Sequence, residues 1–278
     1  MKDILIVLDS LSTGGLEKTL IDLCNNIDYT KYNVDVYLFN DGRDLVPQLN
    51  SNVNLLPDSP YYSTVFNQSV FQSLKTLIRQ KRIDLALYRI IKFMKARFGI
   101  SHNWVFDWYF QKKTMLKIDK QYDVAIGFAE RTACYYVADC VNAKVKNMWI
   151  HTDIKEIGSN RILDNMAFEK ANNICTVSQN SRKSLEELYP QYKSKIKVFT
   201  LPSLFDFDRI EALATALSVS PSYLFGWDKE NTPDERQLTE GEWAMIKIFR
   251  LIPEDQQKAF LEMEYLPHWI CVLKHLLH

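Results

Sequence analysis

Two hydrophobic periods alternate along the first two hundred residues. Ile4 to Leu8 is a continuous apolar run, as expected of a strand buried on both faces. A small polar loop follows. Leu16 to Asn26 then changes to helical spacing, with Leu16, Leu20, Ile21, Leu23 and Cys24 on one side. Val34 to Phe39 reads as the next strand and Val53 to Leu56 as a short third. Further strands are expected at Val124–Phe128, Lys146–Ile150, Ile174–Val177 and Ile196–Phe199, with helices between the later ones, notably Ile162–Ala171 and Ser181–Leu188. Strands alternating with helices predict βαβ units: an α/β, Rossmann-like, mostly parallel sheet with flanking helices.

One insertion breaks the alternation. Residues 72–117 read as helical and carry eleven Lys or Arg against only Asp84 and Asp107. Aromatics are interleaved, among them Tyr88, Phe93, Phe98, Trp104, Trp108 and Tyr109. Basic amphipathic helices with aromatics suit an anionic membrane surface. A solvated basic face with its aromatics in the core is the plainer reading. No RNA- or DNA-binding motif accompanies the charge, so nucleic acid is not an expected partner.

The pattern changes again after residue 207. The segment Lys229–Gln237 reads as a linker, and Thr239 with Glu242 has capping-box spacing before Trp243, Met245, Ile246, Ile248 and Phe249. Pro253 ends that helix, and Pro267 ends a second one that runs to about Tyr265. From Asp228 onward ten acidic residues face six basic ones, a net of −4. Two modules are expected, 1–207 and an all-α tail at 208–278.

Composition narrows the function classes. With 47% hydrophobic and 24% charged residues, a mostly disordered chain is excluded. Thirty-four basic residues balance thirty-four acidic ones, so only local clusters can argue for nucleic acid or membrane. Cys24, Cys134, Cys140, Cys175 and Cys271 are scattered without a C-x-x-C pair. They read as core side chains in a reducing compartment, not as a disulfide framework or zinc site. The apolar run at Ile4–Leu8 is too short for a signal peptide or a span, which makes the cytoplasm the expected location.

Candidate chemistry falls where an open α/β sheet places its ligands, beyond the carboxyl ends of the strands. Gly14-Gly15 opens the first helix, where close backbone approach and unpaired N–H groups suit a phosphate. A tight strand-to-helix turn would use the same glycines, and G-x-G-x-x-G is absent. His151 directly follows the strand ending at Ile150; it could exchange a proton with a bound hydroxyl or be a structural histidine. Glu130-Arg131 follows the strand ending at Phe128, and Arg131 suits phosphate or carboxylate as well as a surface ion pair. No P-loop, G-x-S-x-G elbow or metal-ligand histidine pair is present in the large module, and no metal is expected.

Five segments in order carry a family resemblance. They are Asp3-Ile4-Leu5-Ile6-Val7 with Thr13-Gly14-Gly15-Leu16-Glu17-Lys18, then Val124-Ala125-Ile126-Gly127-Phe128, Trp149-Ile150-His151-Thr152-Asp153, Thr176-Val177-Ser178-Gln179-Asn180-Ser181 and Lys195-Ile196-Lys197-Val198-Phe199. Residues 1–207 resemble the N-terminal domain of glycosyltransferase family 4 enzymes of the GT-B fold, especially bacterial enzymes of surface polysaccharide synthesis. The resemblance implies a retaining, metal-independent hexosyl transfer from a nucleotide sugar to a carbohydrate or lipid-linked acceptor. The nucleotide sugar is a substrate, and no cofactor is implied. By position, the Gly14 and Gly15 amides would face the donor diphosphate or the acceptor, and His151 would contact the reacting sugar. Peripheral attachment to the inner face of the membrane through 72–117 would fit a lipid-linked acceptor.

One departure bears on activity. In that family a second Rossmann domain carries most of the donor site, whereas 208–278 shows no second set of βαβ units. A donor-domain subunit would then have to complete the enzyme. The tail has its own likeness: Ile210–Trp227 and Leu238–Met263 resemble the C-terminal part of phage-repressor-type helix-turn-helix regulators. The Ser222–Gly226 stretch is mostly apolar and lacks the polar first turns a recognition helix needs. The alternatives to an enzyme are a non-catalytic acceptor- or membrane-binding module and a regulator derived from such a repressor.

Overall fold

The computed structural model describes residues 1–12, 14–99, 103–158 and 160–199; every expectation for the tail lies outside them. Seven strands form one parallel sheet among the described residues: β1 (Lys2–Leu8), β2 (Tyr32–Leu38), β3 (Asn54–Leu55), β4 (Gln121–Gly127), β5 (Asn142–Ile150), β6 (Asn173–Thr176) and β7 (Ile196–Val198). Their order is β3-β2-β1-β4-β5-β6-β7. Central strands pair in register through apolar residues, Ile4 opposite Val34 and Val124, and Ile6 opposite Val36 and Ile126. These side chains are buried, which is why β1 reads as an unbroken apolar run.

Nine helices connect the described strands: α1 (Gly15–Asn25), α2 (Tyr62–Phe66), α3 (Val70–Arg79), α4 (Ile83–Phe98), α5 (Trp104–Gln111), α6 (Thr132–Cys140), α7 (Ile154–Ile157), α8 (Arg161–Lys170) and α9 (Gln179–Leu188). The crossover through α1 steps outward from β1 to β2, and the one through α6 steps the other way, from β4 to β5. Right-handed crossovers therefore place α1 and α6 on opposite faces of the sheet. Strand order reverses between β1 and β4, the topological switch point where such sheets open a crevice.

The α6 face holds the main core. Leu5, Val7, Ala125, Met148 and Ile150 meet Tyr136 and Val137 of α6, together with Phe168 of α8 and Leu185 of α9. Gly127 permits this approach, since a Cβ there would stand 2.8 Å from the Cys134 Cα. The Asp164 carboxylate is buried beneath these helices and accepts hydrogen bonds from Tyr135 and Tyr189, each at 2.6 Å.

The described residues of the insertion are mainly helical, as its pattern predicts. Ser69 caps α3 by accepting from the Gln72 N–H, and Asn103 caps α5 by accepting from the Phe106 N–H. Gly99, at φ +65°, ends α4 in the left-handed conformation and returns its N–H to the Lys95 carbonyl. Val65, Leu77, Leu85, Ala86 and Tyr88 form a small core of their own. Asp139 of α6 ties this unit to the sheet, accepting from Lys112 at 2.6 Å and from the Trp108 indole at 3.3 Å.

Candidate functional site

Three loops at the carboxyl ends of adjacent strands bring the expected residues to one edge: Gly14-Gly15 after β1, Glu130-Arg131 after β4 and His151 after β5. The β1 loop is pinned at Leu11. Buried Leu11 donates its N–H to the Gly42 carbonyl at 2.8 Å and accepts from Leu45 at 2.8 Å. Gly42 lies so close that a Cβ there would clash with the Ser12 hydroxyl.

Gly14 is the N-cap of α1, in extended geometry at φ −165° and with no side-chain cap. The first intrahelical bond runs from the Lys18 N–H to the Gly14 carbonyl at 3.2 Å, so the preceding amides lack helical partners. Gly15 is exposed, and a Cβ there would enter open space. Glu17 occupies the third helical position, and its carboxylate lies over Gly14, where an added Cβ would meet it. A carboxylate at a helix N-terminus is favourable to the helix and repels a bound phosphate. Beside Glu17, the end of α1 offers both hydrogen-bond donors and an acceptor, a combination matched to sugar hydroxyls.

Arg131 begins α6 at φ +60°, ψ −111°, a conformation that a residue with a side chain rarely adopts. Its guanidinium donates to the Ile157 carbonyl and, at 2.8 Å, to the Gly158 carbonyl. The arginine thus straps the end of α7 to the start of α6. Glu130 turns the other way and accepts the His151 backbone N–H at 3.3 Å. Glu130 and His151 are therefore brought into contact, with Arg131 bracing the loop beside them.

His151 is held by rings. It stacks on Trp149 at 5.5 Å and 24°, and tilts against Phe128 at 5.1 Å. Burial depresses its pKa to about 4, against the opposing effects of the Glu130 charge and a hydrogen bond to the Phe128 carbonyl. The imidazole is therefore neutral at pH 7. A ring nitrogen that donates to a carbonyl carries the proton, and Nε2 is left buried without a partner. That bare nitrogen can accept one hydrogen bond from a hydroxyl.

Sequence reasoning passes over Glu17 as a site residue. Its signal is positional: a glutamate three residues after an N-cap reaches back over the helix start. Trp149 and Thr176 join the edge as further polar atoms without partners, the indole Nε1 and the hydroxyl both being buried. No group of three His, Cys, Asp or Glu among the described residues could hold a metal ion. A hollow of about 350 Å³ lies at the opposite edge, by the amino ends of β1 and β2, lined by Asp3, Asp35 and Lys120. Its buried Asp35 is already satisfied by Tyr122 at 2.7 Å, Lys120 at 3.1 Å and Asn54 at 2.8 Å.

No family model matches the chain, and no curated protein matches it. Solved structures similar to it include Anabaena Alr3699/HepE in complex with UDP-glucose, at 16% identity and a TM-score of 0.42 over 78% of this chain. The same Anabaena protein in complex with UDP and glucose is 17% identical, with a TM-score of 0.43 over 95% of this chain. The chain spans 50% of the length of the first of these and 67% of the second.

Proposed function

We propose that this chain is the acceptor-side unit of a glycosyltransferase. It would serve a retaining, metal-independent hexosyl transfer from a nucleotide sugar to a carbohydrate or lipid-linked acceptor. The observation that carries this reading is the neutral, buried His151 with a bare Nε2, one strand away from the β1/β4 switch point. The ordered sequence resemblance over 1–207 supports it independently.

In this reading His151 Nε2 accepts a hydrogen bond from a hydroxyl of the reacting sugar and fixes that sugar's orientation. Glu130 holds the His151 backbone, and Arg131 holds the loop that presents Glu130. The Glu17 carboxylate and the Gly15 amide bind acceptor hydroxyls. Neutralising the departing diphosphate is the main electrostatic task of such a transfer, and it falls to helix N–H groups and cations of the donor-side domain. Turnover therefore needs that domain, supplied by another part of the protein or by a partner subunit.

Gly15 offers a test that leaves the fold intact, because a side chain there meets nothing. Nucleotide-sugar hydrolysis and transfer to a panel of acceptor glycans would be measured with donor-side partner present. Gly15→Val and His151→Ala should each lower transfer at least ~10-fold, the loss expected when one positioning contact is removed. Transfer that survives both substitutions unchanged would move the acceptor away from this edge.

A further inference from the structure

The insertion places its apolar side chains on the wrong side for a protein surrounded only by water. Twelve of the fourteen large hydrophobic residues exposed among the described residues fall in α3, α4 and α5. On α4, Ile83, Leu87, Ile91, Met94 and Phe98 follow helical spacing along one outward stripe, with Phe98 68% exposed. Three of the four basic residues of α4 turn partly inward instead, and Arg97 is exposed. Lys92 lies over the Phe66 ring at 3.9 Å, Lys95 over Phe106 at 4.8 Å, and Arg89 donates to the Gln68 carbonyl at 3.0 Å. An ordinary surface helix has the reverse arrangement.

The unpaired charge exposed on the insertion has one sign. Asp84 is paired with Arg82 at 3.0 Å and Asp107 with Lys95 at 3.8 Å, so both carboxylates of the insertion are neutralised. Lys75, Arg79 and Lys81 are exposed, and no ion pair among the described residues involves them. Phe71 and Ile78 stand on the same helix as Lys75 and Arg79, at 80% and 57% exposure. A second copy of the chain would bring this cationic face against another like itself, which is repulsive. A lipid surface instead offers hydrocarbon to the stripe and phosphates at the depth of the lysines.

We infer that the outer face of α3–α5 docks on an anionic membrane surface, with Leu87, Ile91 and Met94 entering the acyl boundary and Lys75, Arg79 and Lys81 meeting lipid phosphates. No described helix is long and apolar enough to cross a membrane, so the face lies on the bilayer. The inference stands apart from the sugar site and does not depend on it.

Co-sedimentation of the full chain tests it, using vesicles of phosphatidylcholine alone and of phosphatidylcholine mixed with phosphatidylglycerol. Binding should require the anionic lipid and weaken with salt. Lys75→Gln, Arg79→Gln and Lys81→Gln together should weaken partitioning about 100-fold, since each basic residue near such a surface contributes about a factor of five. Leu87→Ser, Ile91→Ser and Met94→Ser together should abolish it while far-UV circular dichroism stays unchanged. Equal binding to both vesicle types, no binding to either, or a concentration-dependent dimer without vesicle binding would each overturn the inference.

Discussion

His151 couples its protonation to folding. Its pKa is about 4 in the folded protein and 6.5 in the unfolded chain, so between these values the unfolded state binds the extra proton. Folded stability should therefore fall as pH drops from 6.5 towards 4, by up to about 3 kcal/mol from this residue. Urea unfolding at pH 7 and pH 4.5 should show that loss, and His151→Gln should remove it from the difference. An identical pH dependence in the variant would mean that the imidazole is not buried neutral. Gly127 gives a second prediction at this scale. Gly127→Ala forces a Cβ to within 2.8 Å of the Cys134 backbone and should cost about 1–3 kcal/mol by overpacking, read as a lower urea midpoint. The positions of Gly14, Gly15, Glu130, Arg131 and His151 at strand ends were legible in the sequence, because each follows an apolar run. Their partners were not. Arg131 donating to Ile157 and Gly158, and Glu130 accepting from His151, depend on loops meeting across strands, which one-dimensional spacing does not encode.

Among the elements, the helices differ in how plainly the sequence announces them. α1 shows its period because one face meets the sheet and the other meets water. α6 shows none: Ala133 through Ala138 are all buried, which leaves no polar side to mark the turn. Strand β5 begins at Asn142, four residues before the expected Lys146, because Ala143 and Val145 pair with Tyr122 and Val124 of β4, while the exposed Asn142 and Lys144 alternating with them hide the apolar pattern. The β3 strand keeps only Asn54–Leu55 of the expected Val53–Leu56, as befits a short edge strand with one neighbour. The junction between α5, α6 and α8 is also invisible to periodicity. Burial raises the Asp139 pKa, but hydrogen bonds from Lys112 and Lys170 outweigh it and hold the carboxyl below its ordinary range. Asp139→Ala leaves both ammonium groups and the Trp108 indole without this acceptor. It should lower stability by about 1–3 kcal/mol, while Asp139→Asn recovers part of the loss. Thermal unfolding of the two variants checks this, and equal midpoints for Asp139→Ala and the parent chain would contradict it.

For the whole molecule, the proposed site rests on topology. Strand order reverses between β1 and β4, α1 and α6 leave on opposite faces, and Gly15, Glu130 and His151 all follow strands at that carboxyl edge. The alternation of apolar strands and helices over 1–199 was enough to predict this architecture, since parallel sheets with right-handed crossovers leave few other arrangements. It was not enough to show which side of the insertion faces water. Aromatic content alone could not separate the buried Tyr88 and Trp108 from the exposed Phe98 and Trp104.

The most direct test of the carboxyl-edge sugar site is calorimetric titration of the purified chain at pH 7 with nucleotide sugars, free nucleoside diphosphates and acceptor oligosaccharides. The account predicts saturable binding of a sugar-bearing ligand that weakens at least ~10-fold in His151→Ala, the loss of one buried hydrogen bond to a hydroxyl. Free nucleoside diphosphate should bind more weakly, because Glu17 opposes a bare phosphate at α1. Absence of binding across the whole panel by the folded chain, or equal binding by His151→Ala, would contradict it.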